Sequence, residues 1–288
     1  MLKKISSYFS LVKFSHTIFA LPFAMIGFFL AVVSGSAQFS AFTLVMVLVC
    51  MVMARSAAMA FNRYVDREFD ALNPRTVVRE IPSGQISPRS ALLLVIGSSL
   101  VFVAATYFIN PLCFYLSPAA LVVILGYSYT KRFTALCHLV LGLGLALAPI
   151  GAYIALTAQF AVLPLLLSVL VFFWVSGFDI IYALQDDAFD KSQQLNSIPV
   201  LLGRKNALLL SRVFHVAVVC LLALIYFVGP FGNFYVAGAC VFTGLLLYQH
   251  RLVKPNDLSK VNLAFGTTNG IASVAFSLFV CCDMYLHA

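Results

Sequence analysis

Charged residues fall along this chain so as to leave five long uncharged stretches, at residues 14–54, 90–130, 133–178, 213–250 and 261–282. These stretches are rich in Leu, Val, Ala and Phe and run for 41, 41, 46, 38 and 22 residues. A helix rises about 1.5 Å per residue, so about 20 apolar residues cross the ~30 Å hydrocarbon layer of a bilayer. Each of the first four stretches is long enough for a helical hairpin, and the fifth for one helix. The pattern predicts nine transmembrane helices. Turn residues stand where the hairpins must reverse: Ser34-Gly35-Ser36, Asn110-Pro111, Gln159 near the third tip, and Gly229-Pro230 with Gly232-Asn233.

Composition agrees with lipid as the solvent. Hydrophobic residues make up 62% of the chain and charged ones 10%, with a mean hydropathy of +1.01. A soluble domain has about half its residues apolar and a quarter charged. The first apolar segment continues through Gly35 into a second with no small-residue cleavage site, which predicts a retained span and no cleaved signal. Seven cysteines lie scattered in apolar stretches without a CxxC pair, the distribution of buried small hydrophobes. All 18 Lys and Arg residues fall in the N-terminal segment or between the uncharged stretches, and the four tips and Asp283–Ala288 have none. By the positive-inside rule the N-terminus and four connecting loops are cytoplasmic and the C-terminus is outside. The net charge of +8 is thus explained by orientation in the cytoplasmic membrane and by anionic lipids or ligands, and does not call for nucleic acid. The expectation is an all-α integral membrane protein, residues 1–288 forming one polytopic domain. Two similar halves are suggested by charged loops at residues 62–89 and 179–212, which hold eight of the ten acidic residues.

The acids are ordered within those loops. The first cluster reads Asn62-x3-Asp66-x3-Asp70 and ends the second predicted span. Residues four apart lie one turn above each other, so on a helix the three share an arc of about 80°. Arg55 falls on the same stripe two turns earlier, inside the apolar segment, where an ionised group is costly unless it faces a polar cavity. The second cluster, after the sixth predicted span, places Asp179, Tyr182, Asp186 and Asp190 on a similar arc. Hard carboxylate oxygens suit Mg²⁺, which keeps several waters and bridges protein carboxylates to phosphate oxygens. A diphosphate cannot approach bare carboxylates. Bound cations remove that repulsion, with Arg63, Arg67, Arg75, Arg79, Lys131 and Arg132 as further basic candidates.

At these residues the chain resembles the UbiA superfamily of intramembrane aromatic prenyltransferases. The first motif, with Asn73-Pro-Arg-Thr and Ile81-Pro-Ser-Gly84, is similar to that family's first signature and lid loop. Tyr127-Ser-Tyr-Thr-Lys131-Arg132 is similar to its element after the fourth helix. Asp179-x2-Tyr182-x3-Asp186-x3-Asp190, followed by Ser197-Ile-Pro-Val-Leu-Leu-Gly203, is similar to its second signature. The resemblance implies a UbiA-type helical bundle that uses Mg²⁺ to transfer a polyprenyl group from its diphosphate to an aromatic ring, at the cytoplasmic face of the inner membrane. Asp66, Asp70, Asp186 and Asp190 would hold the metal and diphosphate, aided by Asn62, and Lys131 would bind the diphosphate. Arg132 or Arg55 would neutralise an acceptor carboxylate, and Asp179 and Tyr182 would lie beside the ring and the reacting carbon. Many relatives carry Asn-Asp where this chain has Asn62-Arg63. With the Phe14-Ser-His16 opening, that variant is similar to a 4-hydroxybenzoate polyprenyltransferase-like branch. Some members of that branch are assigned to menaquinone formation through futalosine, so the acceptor is of the 4-hydroxybenzoate type or is 1,4-dihydroxy-6-naphthoate.

The rival class is a transporter of an anionic substrate, since intramembrane acids and repeated halves occur there too. Transporter sites lie near the midplane, however, and these acids cluster at one face. His16, His138, His215, His250 and His287 show no ligand spacing and read as packing or interfacial residues. His16 stands apart, at the cytoplasmic mouth of the first span. Gly142 and Gly144, with Pro149, read as close packing or a kink in the fifth span.

Overall fold

The turn residues end and start helices where the pattern places them. The structure is a computed structural model, and it describes residues 7–286 apart from Phe9 and Lys13 and the side chains of residues 14–16. The His16 side chain and His287 therefore lie outside the described residues. A short 3₁₀ turn (Phe14–Phe19) leads into α1 (Leu21–Val33), followed by α2 (Ala41–Val65), the short α3 (Arg67–Leu72), α4 (Pro88–Ile109) and α5 (Pro111–Thr130). Next come α6 (Cys137–Thr157), α7 (Val162–Ala183), the short α8 (Asp187–Ser192), α9 (Ile198–Val228) and α10 (Asn233–Leu252). A π-helical turn (Leu263–Thr268) opens the last helix, α11 (Asn269–Leu286).

Seven of these helices are long and apolar enough to cross a membrane: α2, α4, α5, α6, α7, α9, and α11 with its π-helical turn. This is an integral membrane protein. The two other positions where a span is expected hold α1, of 13 residues, and α10, which has 20 but carries Asn233, Gln249, His250 and Arg251. At the second tip Asn110 closes α4 and caps α5. Its side-chain oxygen accepts from Cys113 N at 2.8 Å, and its amide donates to Ile154 O at the end of α6 at 2.9 Å. Pro111 follows at the first helical position, where its missing N–H costs nothing.

The bundle is not filled evenly. Around α7 the interior is solid and aromatic: Trp174 lies 5.3 Å from Phe23, 5.1 Å from Phe178 and 5.4 Å from Phe242 between ring centres. Between α2, α4, α5 and α6 a cavity of ≈ 410 Å³ remains instead. Close helix contact on the far side of α6 depends on one glycine. A Cβ at Gly142 would stand 2.3 Å from Ser176 Oγ and 2.7 Å from Phe172 O, whereas one at Gly144 would meet Ile124 Cγ2 at 3.6 Å. Gly142→Ala is therefore expected to destabilise the protein by about 1–3 kcal/mol through overpacking. Gly144→Ala should be neutral or slightly stabilising through helix propensity. Thermal unfolding of both variants in detergent checks the contrast, and equal midpoints would show that α6 and α7 do not pack this tightly.

Asp283 corrects the reading of residues 283–288 as a tail. It lies inside α11 with no exposed surface, and its carboxylate accepts the backbone N–H groups of Gly232, Phe234 and Tyr235 at 2.7, 3.0 and 3.2 Å. It caps α10 from another helix.

Candidate active site

Each acidic cluster straddles a break between a long helix and a short one. α2 ends at Val65, Asp66 forms the joint, and α3 carries Asp70. α7 ends at Ala183, and Asp186 starts α8, which carries Asp190. The continuous helical stripes expected from spacing are thus interrupted at Asp66 and before Asp186. The four-residue register survives locally, with Asp70 N donating to Asp66 O at 2.8 Å and Asp190 N to Asp186 O at 2.7 Å.

The loop after α3 brings the clusters together. Asn73 Nδ2 donates to Asp186 Oδ1 at 3.0 Å, and Arg75 Nε reaches the same oxygen at 2.9 Å. A second Arg75 nitrogen pairs with Asp186 Oδ2, and a third donates to the Tyr182 hydroxyl at 3.0 Å. Arg79 pairs with Asp70 at 2.6 Å. Asn62 Nδ2 donates to Asp66 Oδ2 at 3.1 Å, and Lys131 Nζ stands 3.5 Å from that oxygen. Arg132 donates to Val65 O at 2.8 Å and lies 3.9 Å from Asp66 Oδ1. Lys131 is fixed in turn, since its carbonyl accepts Asn196 N at 2.7 Å from the second loop.

These carboxylates suit a divalent cation. Asp66 Oδ1 and Asp70 Oδ2 are buried and accept no hydrogen bond, a costly state for an anion that a cation would relieve. No group of three His, Cys, Asp or Glu among the described residues converges tightly enough to hold a metal unaided. That fits Mg²⁺, which binds through one or two carboxylates and completes its shell with phosphate oxygens and water. Burial raises the Asp66 carboxyl above its ordinary range and lifts Asp190 to about 6, with Lys131 opposing both shifts. Asp187 is held low by its hydrogen bond from Arg204.

The cavity begins about two turns along α2 from Asp66, where Met59 is in its lining. Arg55 and Tyr127 line its wall, and Arg55 is the one charged side chain there among the described residues. The wall follows α5 from Cys113 to Tyr127, about 20 Å at helical rise, and reaches Phe160 between α6 and α7. It is otherwise nearly all apolar, with Met51, Phe102 and Leu141 in its lining.

Of the remaining residues singled out by sequence, Arg63 is buried beside the site, with Asp70, Glu80, Arg79 and Tyr127 in electrostatic reach. Arg67 turns away to exposed Glu68 and to Tyr64 O. Tyr182 stacks on Phe265 at 4.2 Å. Asp179 is bonded to His138 Nδ1 at 2.7 Å, so His138 has a specific partner where packing alone was expected. His138, Asn196 and Phe265 escaped sequence reasoning. Their partners lie 41, 65 and 83 positions away, and no local spacing marks them.

A model described as the UbiA prenyltransferase family matches residues 20–278. The 4-hydroxybenzoate octaprenyltransferase of Herminiimonas arsenicoxydans is 31% identical over 230 residues, 78% of this chain and 79% of that protein. The apo structure of a UbiA homologue from Aeropyrum pernix K1 superposes with a TM-score of 0.80 at 30% identity, covering 94% of this chain and 97% of that one. A UbiA homologue from Archaeoglobus fulgidus, bound to DMAPP and Mg²⁺, shares the fold with a TM-score of 0.74 at 21% identity, over 97% of this chain and 99% of that one.

Proposed function

Because this chain belongs to the UbiA prenyltransferase family, we propose that it transfers a polyprenyl group from its diphosphate to an aromatic acid in quinone biosynthesis. The acceptor is of the 4-hydroxybenzoate type or is 1,4-dihydroxy-6-naphthoate, and the reaction depends on Mg²⁺. The observation that carries this reading is the pairing of two features. Carboxylate clusters joined through Asn73 and Arg75 accompany an apolar cavity of ≈ 410 Å³ whose one charge among the described residues is Arg55.

Asp66, Asp70, Asp186 and Asp190 hold the cation, and Asn62, Lys131 and Arg132 face the diphosphate. Mg²⁺, when bound, neutralises the diphosphate and stabilises the charge that builds on it as it departs. Arg75 and Arg79 neutralise Asp186 and Asp70 in this structure, and with those carboxylates holding a cation they would be available to the diphosphate. Arg63 and Arg67 add positive charge at the margin. Tyr182 lies beside the reacting carbon, where its face favours an allylic cation. The cavity takes the prenyl tail and keeps water from that cation. Arg55, with Tyr127, meets the acceptor carboxylate.

We read the chain as one domain, residues 1–288, of two similar halves, with nine spans, a cytoplasmic N-terminus, an outer C-terminus and the site at the cytoplasmic face of the inner membrane. The matched helix breaks at Asp66 and Asp186 and the distribution of the 18 basic residues support this.

The test uses purified protein in detergent with labelled polyprenyl diphosphate, MgCl₂ and each acid in parallel. Prenylated ring is expected, with the preferred acid naming the pathway, and EDTA should abolish it. Arg55→Ala is expected to raise the acceptor KM by about tenfold to a hundredfold, the value of a charged hydrogen bond, and to leave the donor KM unchanged. Donor left intact with every divalent metal would bring the transporter reading forward.

A further inference from the structure

Aromatic prenylation ends with loss of a proton from the ring carbon that has gained the prenyl group, and none of the roles above includes its acceptor. The geometry points to a buried Asp–His pair in which His138 is a positioning residue, holding Asp179 so that its second carboxylate oxygen takes the ring proton. This inference rests on the prenyl-transfer reading above.

The pair is built for orientation. His138 on α6 and Asp179 on α7 meet at 2.7 Å between Nδ1 and Oδ2, with side-chain exposures of 4% and 18%. The other ring nitrogen, Nε2, accepts the backbone N–H of Ile198 at 3.4 Å, at the first residue of α9. A backbone N–H can only donate, so Nε2 is the acceptor and the neutral ring carries its proton on Nδ1. Both nitrogens are therefore committed, and the imidazole orients its neighbour without taking a proton itself. Asp179 is different. Its Oδ1 has no hydrogen-bond partner among the described residues, and its side chain keeps some exposure in an otherwise sealed region.

Its surroundings are those of the reaction. Tyr182 follows one turn later on the same helix face, held between Phe265 and Arg75. Asp179 is also within electrostatic reach of Tyr127 in the cavity wall. Asp66, Asp70 and Asp186 are each engaged by a Lys or Arg side chain, whereas the partner of Asp179 among the described residues is the His138 imidazole. Asp66, Asp70, Asp186 and Asp190 are assigned to the cation and diphosphate in the reading above, which leaves the second oxygen of Asp179 for the ring proton.

The step balances without a further reactant. The allylic C–O bond breaks and its electron pair leaves on the diphosphate. A ring π pair forms the new C–C bond. The C–H pair at that carbon then returns to the ring as the proton passes to Asp179 Oδ1, from which it is lost to water.

The experiment is single-turnover prenylation of an acceptor deuterated at the carbon that is prenylated, with wild type, His138→Leu, His138→Asn and Asp179→Asn. In His138→Leu the rate is expected to fall roughly tenfold to a hundredfold, the lower part of what general-base catalysis contributes. The deuterium isotope effect should rise above the wild-type value as proton removal becomes slow, with the donor KM unmoved. His138→Asn places an amide N–H where Nδ1–H stands and should recover most of the rate and the wild-type isotope effect. Asp179→Asn, which keeps the side-chain shape, should show the largest isotope effect, and it carries the test if His138→Leu fails to fold. Isotope effects that stay at the wild-type value in both His138→Leu and Asp179→Asn, with product still formed, would overturn this role and leave the prenyl-transfer reading standing. Wild-type protein that prenylates neither acid overturns that reading and this one with it.

Discussion

Asp66→Asn and Asp186→Asn are each expected to lower prenyl transfer by at least about a hundredfold, a loss on the scale of 3–4 kcal/mol in transition-state stabilisation. Each substitution keeps the side-chain volume and one acceptor oxygen, so the helix joints at these positions should persist. What is lost is charge. Asp66 lies against Lys131 and Arg132 and has one buried oxygen that accepts no hydrogen bond, and Asp186 is engaged by Arg75 and Asn73. Without the carboxylate the basic groups remain, but the residue that would hold the cation beside the diphosphate is gone. The defect should therefore deepen at low Mg²⁺ and ease partly at high Mg²⁺. Initial rates against metal concentration, with unfolding temperature as a control, make the test. Either variant within about fivefold of wild type, a change of ~1 kcal/mol, would remove that carboxylate from the proposed metal site.

Asp283→Ala is expected to have the largest effect on stability, about 3–5 kcal/mol. Three backbone N–H groups at the start of α10, one of them buried and two partly buried, end on this one fully buried carboxylate. Leaving buried donors unpaired costs about 1–3 kcal/mol each, and the negative charge also faces the positive end of the α10 dipole. Asp283→Asn keeps an acceptor oxygen and should recover a large part of the loss. Unfolding in mixed micelles, followed by far-ultraviolet circular dichroism, measures both. If Asp283→Ala unfolds like wild type, α10 draws its N-terminal partners from elsewhere.

Much of the architecture was legible before any coordinates. The uncharged stretches locate all seven long apolar helices, and Asn110-Pro111 marks a real helix junction. The acid clusters could be read because four-residue spacing is local and survives even where the helix breaks at Asp66. The break itself was not legible. Asn62, Asp66 and Asp70 are all of a type that favours helix caps, and only the packing of the following loop decides that the break falls at Asp66. Among the loop arginines, sequence could nominate Arg67 and Arg75 equally. Arg67 follows Asp66 directly yet points to Glu68, while Arg75 pairs with an acid 111 positions away.

The sequence by itself determined the solvent, the helices and the chemistry of the clusters. Burying charge in lipid is costly, so acids and bases must gather in the loops, and the one-dimensional pattern records that constraint directly. Tertiary structure alone decided which charges meet, which part of the bundle stays hollow, and that His138 and Asp283 have partners on other helices. Those outcomes depend on helix contacts such as Gly142 against Ser176 and on the aromatic packing around Trp174. Packing couples residues far apart in the chain by shape and volume, and no periodicity along the sequence encodes it.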